Sequence, residues 1–541
     1  MGRIVLVEAG NERFRSSDND RFFKAETVEG TLHPPTELNR RRMLGGTTTV
    51  WGGRCIPFDE ADFAPAPGRD EWPISYAAFA SYVPEALTLL DAGPAEFAAA
   101  NALPNHPVPL AGTAGDLVLD RIERYSKPTN VWAKFGKALV QSENVTVISN
   151  ATCTNVLTNG PGTRVAGLEL RTETNRRHTI TAGTVVLACG GLETPRLMLA
   201  SRGSLSCGLG NARDLVGRFY MTHLVSSGDN AGAIRFANPE TAWAFDFHKT
   251  VDGVYGRRMM LLSETVRRRD NLPNIVFRPS RPPIDDASHA NSVLSTMFLV
   301  RNLLIPPEYA RSLTSRFGNL RSAQVWRDHV PNILLGLPGL ARFSTDWLVR
   351  RILASRKLPS IFLYRKDGLY PLEFNAEQVP NPESRVRLGQ EADPLGMPRL
   401  IVDWRYHEAE LEAICRAYHA LATSVASTGL GEVALDPDFP SRVRHALVPQ
   451  GGHHIGTVRM GTDASTGVVD THCEVWGTRG LFVAGTSVLP TSGFANPTLT
   501  ALALALRLAD HLVNRRVLPA HDTATSRAPM CETEAGSPPS A

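Results

Sequence analysis

Two glycine-rich blocks in the C-terminal part of the sequence contain residue types that could carry out proton chemistry. The first block, residues 451–461, holds the adjacent histidines His453 and His454, and the second, residues 480–491, is followed closely by Asn496. An unperturbed histidine has a pKa of about 6.5 and can take a proton from a hydroxyl group near pH 7. An asparagine can orient an oxygen atom without adding charge. The pattern suggests a reaction in which a hydroxyl group loses its proton.

The elements that would position these residues can be predicted from the surrounding sequence. Residues 480–485, GLFVAG, are typical of a buried strand that ends in a glycine turn. Pro497 and Thr498 then open a long apolar helix, ALALALRLADHL. Backbone N–H groups at the start of such a helix can stabilise an anion or an electron-rich group. We therefore expect a binding site at this helix N-terminus.

The first residues of the sequence are typical of the second strand of a dinucleotide-binding sheet. Residues 3–7, RIVLV, form a β-branched run that ends at Glu8, where an acid would accept hydrogen bonds from ribose hydroxyls. A carboxylate there favours FAD or NAD over NADP. No GxGxxG motif precedes the run. We expect either that the true start lies roughly 25–30 residues upstream, the usual span of such a unit, or that the protein is a defective paralogue.

Three further segments predict ligand-contacting backbone. Residues 43–55, MLGGTTTVWGGRC, hold too many glycines and threonines for a stable helix or strand, yet contain apolar groups that a flexible loop would expose. Residues 145–148 and 184–188 are predicted as buried strands. The second of these leads into a Gly-Gly turn at Gly190 and a helix with Pro195 near its start.

These segments together resemble the glucose–methanol–choline (GMC) family of FAD-dependent oxidoreductases, in particular its bacterial members. The motifs that carry the resemblance are residues 43–55, residues 189–197 (CGGLETPRL), residues 215–223, the HHIGT of block 451–461, and ANPTLT at 495–500. The resemblance runs from Arg3 to about Leu512. It implies hydride transfer from an alcohol, with a sugar or polyol as the first guess, to FAD.

The same resemblance assigns roles to individual residues. It implies that His453 is the catalytic base and Asn496 its partner, whereas His454 packs or orients. Val50 stands where some relatives have a histidine bonded covalently to the flavin, so FAD is expected to be non-covalent. The predicted cofactor-binding residues are Glu8, Gly45, Gly46, Thr47, Thr48, Cys153, Gly190, Gly485, Thr486, Pro497 and Thr498.

The predicted fold class is α/β, with a Rossmann-like FAD-binding domain that lacks its first strand and GxGxxG loop, and a second, α+β substrate-binding domain. The expected boundaries are 1–223 and 441–517 for the FAD-binding domain and 224–440 for the substrate-binding or cap domain. Within the latter, residues 407–425 predict an amphipathic helix and residues 324–356 hold amphipathic stretches. Residues 518–541 are expected to be a disordered tail.

Composition excludes several classes of function. The 57 basic and 54 acidic residues among 541 give a net charge of +3, which gives no argument for binding nucleic acid or an anionic membrane. The seven cysteines form no CxxC pair, so neither a disulfide framework nor a thiolate zinc site is expected. No apolar run is long enough to span a bilayer. These features favour a cytoplasmic protein, and the resemblance implies a small alcohol substrate and an unidentified electron acceptor.

Other interpretations are compatible with parts of the pattern. A zinc hydrolase built on His453 and His454 is disfavoured, because adjacent histidines on a strand point to opposite faces and no HExxH motif accompanies them. A GMC-fold lyase would keep FAD without using it for redox chemistry. A truncated, FAD-deficient and non-catalytic paralogue is the remaining alternative.

Overall fold

The fold was analysed on a computed structural model of the chain, which describes residues 2–108, 115–203, 205–226, 231–304, 313 and 323–517. The predicted tail at 518–541 lies outside these residues. No helix among the described residues has the length and apolar character needed to cross a membrane.

Strands within the described residues are numbered in chain order. They are β1 Ile4–Val7, β2 Glu26–Thr27, β3 Arg54–Cys55, β4 Leu117–Val118, β5 Ile122–Tyr125, β6 Val145–Ile148, β7 Ala151–Thr158, β8 Val165–Thr172, β9 Arg177–Thr181, β10 Val185–Leu187, β11 Leu224–Ser226, β12 Gly232–Phe236, β13 His248–Lys249, β14 Tyr255–Arg258, β15 Met260–Leu262, β16 Ile275–Pro279, β17 Leu369–Ala376, β18 Arg385–Ala392, β19 Pro398–Asp403, β20 Gly431–Leu435, β21 Leu447–Pro449 and β22 Leu481–Val483.

The α-helices are numbered in the same way. They are α1 Ser16–Phe23, α2 Glu60–Phe63, α3 Tyr76–Ala80, α4 Val83–Leu89, α5 Ala99–Ala102, α6 Val131–Gln141, α7 Gly190–Ala200, α8 Glu264–Arg269, α9 Ser292–Leu304, α10 Ala323–Leu335, α11 Leu337–Trp347, α12 Glu408–Ser427, α13 Phe439–Ala446 and α14 Pro497–Val517. Short 3₁₀ segments span Gly46–Thr49, Pro239–Phe245, Ala287–His289 and Thr486–Val488, and a π-helical turn spans Leu348–Leu353.

The part of the fold expected to bind the cofactor contains two parallel strand pairs, as the β-branched runs predict. Strand β1 pairs with β6, and β10 pairs with β22. Glu8, after β1, and Cys189, after β10, are near enough for the carboxylate to raise the pKa of the thiol, although burial of the thiol is the larger cause. Apolar side chains on both pairs are exposed, with Val5 at 42% and Val186 at 41%. The expected first strand between such pairs stays a prediction.

Two larger sheets are antiparallel. An eight-stranded sheet has the order β20-β12-β17-β16-β15-β4, with β11 joined to β17 and β21, and a four-stranded sheet has the order β13-β14-β5-β3. Strands β3, β4, β5 and β21 come from outside residues 224–440. The predicted boundaries at 224 and 441 therefore do not separate the sheets, because backbone pairing joins segments on both sides of each boundary.

Helix α7 begins earlier than the sequence predicts. The predicted turn at Gly190 is already the first helical residue, and Pro195 lies inside the helix rather than near its start. A proline has no N–H to bond the carbonyl four residues earlier, here that of Gly191. The hydroxyl of Thr457 donates to this carbonyl over 2.6 Å instead. A side chain from the first glycine-rich block thus allows the helix to continue through the proline.

Replacing Thr457 by valine is expected to destabilise the protein by about 1–3 kcal/mol, because the buried Gly191 carbonyl would lose a donor without a large change in shape. Urea denaturation of Thr457→Val and of the control Thr457→Ser, which retains the hydroxyl, would measure the difference. Equal unfolding midpoints for the two variants would contradict this role.

The helices predicted from periodicity are present with shifted ends. Helix α12 buries Leu411, Ile414, Tyr418 and Leu421 along one face. The amphipathic stretches at 324–356 form α10, α11 and the π-helical turn. The glycine-rich segment 43–55, expected to be irregular, contains a 3₁₀ turn and the short strand β3. The 3₁₀ turn is possible because Gly45 and Gly46 adopt positive φ angles of 90° and 51°.

Candidate active site

His453 and His223 form a hydrogen-bonded pair whose protonation pattern follows from their surroundings. The Nε2 of His223 is 3.0 Å from the carbonyl oxygen of Ser492, which can only accept, so this nitrogen carries the proton and donates. The Nδ1 atoms of the two histidines are 2.6 Å apart. With both rings neutral, His453 donates from Nδ1 to His223. The Nε2 of His453 therefore presents a lone pair.

Asn496 completes this arrangement from the segment just before α14. Its Nδ2 donates to Nε2 of His453 over 3.1 Å, as the tautomer of His453 requires. Its Oδ1 is buried, and among the described residues it has no hydrogen-bond partner. A buried acceptor without a partner commonly marks a site where a ligand or water binds. The group can accept a hydrogen bond from a substrate.

Burial sets the electrostatics of the pair. It is the largest cause that lowers the pKa of His453 well below its usual 6.5, and the neighbouring His223 and Arg54 lower it further. Burial likewise lowers the pKa of His223 to about 4. Both rings are thus neutral at pH 7, as the hydrogen-bond pattern assumes, and His453 can accept a proton.

His454 belongs to a different network from its neighbour. Its Nδ1 lies 2.7 Å from the hydroxyl of Tyr220, which lies 2.7 Å from Nε2 of His33. The Nδ1 of His33 lies 2.7 Å from the carbonyl oxygen of Pro34 and donates to it. The Nε2 of His33 therefore accepts from the Tyr220 hydroxyl, and the oxygen of that hydroxyl accepts from Nδ1 of His454. The Nε2 of His454 is buried and has no partner among the described residues. The two histidines thus serve separate networks.

The residues predicted to bind the cofactor lie around the carboxyl ends of the parallel strands. Glu8 accepts from the backbone N–H of Gly10 over 2.8 Å, and burial raises the pKa of its carboxyl group. Segment 43–55 joins the end of β1 through the bond from Leu44 N to Asn11 O, 2.9 Å. Gly485 follows β22, whose partner β10 leads to Gly190.

Four glycines around this position leave open space for a flat ligand. A β-carbon placed on any of them would have no heavy atom within 4 Å, and they are Gly46, Gly52, Gly190 and Gly485. By contrast, a β-carbon on Gly191 would lie 2.1 Å from the carbonyl oxygen of His454. The open glycines and the carboxylate of Glu8 would hold a dinucleotide.

The other residues predicted to bind the cofactor differ in what they contact. The Thr48 hydroxyl donates to Gly45 O over 2.5 Å and accepts from Val131 N, so it anchors the segment to α6. The Thr486 hydroxyl donates to the His454 carbonyl over 2.5 Å. Cys153, on β7, is close enough to Cys189 to interact with it electrostatically. Gly45 and Thr47 lie in or next to the 3₁₀ turn of this segment, and Pro497 and Thr498 begin α14.

Sequence reasoning did not assign a role to His223. The residue ends the 215–223 motif, but neither periodicity nor spacing indicates that it contacts His453, which is 230 positions away. Its presence in a motif of the resemblance was the available signal. Among the described residues, no group of three or more histidine, cysteine, aspartate or glutamate side chains could hold a metal ion.

Family models match both parts of this site. The model of the GMC oxidoreductase N-terminal region matches residues 129–225, and that of the C-terminal region matches residues 380–505. The second range includes His453 and Asn496, and the first includes Gly190 and His223.

Individual relatives are similar over shorter or more divergent stretches. A C-glycoside 3-oxidase of Microbacterium trichothecenolyticum is 37% identical over 129 residues, 23% of each chain. The large subunit of fructose dehydrogenase from Gluconobacter japonicus is 25% identical over 65% of this chain and 51% of its own. The chain thus spans from about a quarter to about half of these relatives. Among solved structures, pyridoxine 4-oxidase from Mesorbium loti has the same fold, with a TM-score of 0.53, 16% identity and coverage of 95% and 94% of the two chains.

Proposed function

Because the chain belongs to the GMC oxidoreductase family, we propose that it is a FAD-dependent oxidoreductase that oxidises the CH–OH group of a small alcohol, with a sugar or polyol as the first candidate. The observation that carries the proposal is the lone pair on Nε2 of His453. Hydrogen bonds from His453 through His223 to the Ser492 carbonyl keep this nitrogen unprotonated, and it faces Asn496. The names of three relatives mention a C-glycoside, fructose and a propanediol.

In this proposal the side chains of the site handle the hydroxyl proton. When the substrate binds, its oxygen replaces Nε2 of His453 as the acceptor of the Asn496 Nδ2 hydrogen bond, and the Nε2 thus released takes the hydroxyl proton. The neutral ring of His223 accepts a hydrogen bond from Nδ1–H of His453, which holds His453 in the tautomer whose Nε2 is unprotonated. FAD, when bound, supplies the acceptor for the hydride that leaves the substrate carbon.

The test is anaerobic bleaching of the flavin spectrum of the purified protein, with FAD added, by a panel of sugars, polyols and simple alcohols. Bleaching by members of the panel is expected. A flavin that stays oxidised with every alcohol while an aldehyde is released from a cyanohydrin would favour the lyase alternative. A colourless protein that cannot be reconstituted with FAD would favour the non-catalytic paralogue.

We also propose that FAD is bound without a covalent bond at segment 43–55. Val50 occupies the position aligned with the flavin-linked histidine of some relatives, and a valine side chain has no atom that can form such a bond. Acid precipitation of the reconstituted protein is therefore expected to release all of the flavin into the supernatant. Yellow colour that stays with the washed pellet would contradict non-covalent binding.

A further inference from the structure

A group of charged side chains lies on the substrate-domain strands next to the histidine pair. Asn375 on β17 donates from Nδ2 to the carbonyl of Phe494 over 2.6 Å, two residues before Asn496. Two residues earlier on the same strand, and therefore on the same face, lies Glu373. Its partner across the antiparallel pair with β16 is Arg278. The charged group thus begins about 7 Å along the strand from Asn375, given the rise of about 3.4 Å per residue.

Four guanidinium groups in this cluster share two carboxylates. Arg278 pairs with Glu123 at 2.8 Å, and Arg54 approaches the same carboxylate at 3.4 Å. Arg257 lies 3.4 Å from Glu373. Among the described residues, the fourth cation, Arg281, has neither a hydrogen bond nor an ion pair.

Arg281 is the member whose surroundings are least compensated. Its side chain is partly exposed, its nearest charged neighbours are Glu373 and Arg257, and desolvation lowers the pKa of its guanidinium. The next carboxyl group near Arg257 belongs to Asp246, which interacts more strongly with Arg350. A partly exposed guanidinium without a protein partner keeps its N–H donors available to a ligand. The cluster therefore has positive charge that no described side chain balances closely.

Two members of the cluster keep accessible side-chain surface, 27% for Arg54 and 33% for Glu373. Arg54 also lies close enough to His453 to interact with it electrostatically. Asn375 adds a buried Oδ1 that has no partner within the described part of the chain. The face of the substrate-domain strands beside His453 thus has a neutral polar end at Asn375 and a cationic end at Arg54 and Arg281.

We propose that the cationic end is an anion-binding subsite, and that the substrate is an alcohol that also carries a carboxylate or phosphate group. Arg281 and Arg54 bind the anionic group while the reacting hydroxyl lies at His453. A planar guanidinium binds either oxyanion through paired hydrogen bonds, which matches the Arg281 fork, unpaired within the described ranges. The subsite deepens the function proposed above and rests on it for the identity of the reacting hydroxyl.

The test compares three probes that share one sugar ring: D-glucose, D-glucuronate and D-glucose 6-phosphate. Their dissociation constants are measured by calorimetry on the flavin-loaded protein at low ionic strength, and flavin bleaching is followed in parallel. One or both anionic probes are expected to bind about 10- to 100-fold more tightly than glucose, the effect of a charge-assisted hydrogen-bonded contact. Which of the two binds more tightly distinguishes a carboxylate from a phosphate substrate.

Variants connect the preference to the subsite. Arg281→Gln is expected to reduce the advantage of the anionic probes to about threefold or less, whereas Arg281→Lys, which keeps the charge without the planar fork, retains an intermediate advantage. The matched control is Arg268→Gln, on an α8 side chain that is 72% exposed, and it is expected to leave the preference unchanged.

The outcomes separate the subsite from the redox function. Equal affinity of the wild-type protein for all three probes would overturn the subsite, even if Arg281→Gln failed to fold. So would an anion preference that survives in Arg281→Gln. Anion binding that depends on Arg281, together with a flavin that no alcohol bleaches, would support the subsite but count against the oxidoreductase function.

Discussion

Replacing His453 by alanine is expected to lower kcat by about 10²- to 10⁴-fold, the usual contribution of a positioned general base. The protein should retain FAD, because the open glycines and Glu8 that fit the cofactor lie on other segments. The measurement is the rate of anaerobic flavin bleaching in a stopped-flow instrument, with flavin content determined on the same sample.

A matched control for this variant is His178→Ala, which removes an exposed imidazole on strand β9. It is expected to bleach at the wild-type rate. If His453→Ala with full flavin content also bleached within a factor of about three of wild type, the assignment of His453 as base would be wrong, and His454 would become the candidate.

The pH dependence of the reaction has a defined sign. Burial lowers the pKa of His453 well below 6.5, so the ring stays neutral and able to accept a proton as the pH falls through 6.5. We expect kcat/KM to remain near its plateau at pH 6.5 and to decrease only at lower pH, where His453 becomes protonated. An acidic limb centred at or above pH 6.5 would show that another group controls the rate.

Replacing His223 by leucine is expected to lower kcat by about 10²-fold or more, although this residue acts only through His453. Leucine offers no acceptor to the Nδ1–H of His453, so the proton can move to Nε2 and remove the lone pair that receives the substrate proton. Loss of the correct tautomer of a catalytic histidine lowers kcat by about 10⁴-fold in serine proteases.

The conservative variant separates positioning from structural support. In His223→Gln, the amide oxygen can accept from His453 and the amide nitrogen can donate to Ser492 O, as His223 does. This variant is expected to recover activity to within about tenfold of wild type, with the wild-type pH profile. Equal losses in the leucine and glutamine variants, at equal flavin content and thermal stability, would mean that His223 does not set the tautomer.

The sequence predicted the elements whose signals are local. Strands β1, β6 and β10 follow from short β-branched runs, and helix α12 follows from apolar residues at helical spacing. The N-terminal end of α7 was harder to predict, because a proline normally limits a helix. The compensating hydroxyl comes from Thr457, 266 positions away, and no local pattern encodes it.

The site divides in the same way between local and long-range information. The sequence by itself determined which residue types could react, since the histidines of the first block and Asn496 stand in motifs that resemble a known family. Only the tertiary structure decided that His453 faces His223 and Asn496 whereas His454 faces Tyr220.

The charged cluster was determined by tertiary structure alone. Its members come from β3, β5, β14, β16, β17 and the segment after β16, and none belongs to a motif of the family resemblance except Arg54. Hydrophobic periodicity and turn residues report how each segment meets its immediate surroundings. The pairing of buried charges depends on how distant strands align in a sheet, and it is this alignment that brings four guanidinium groups to two carboxylates and places Arg54 near His453.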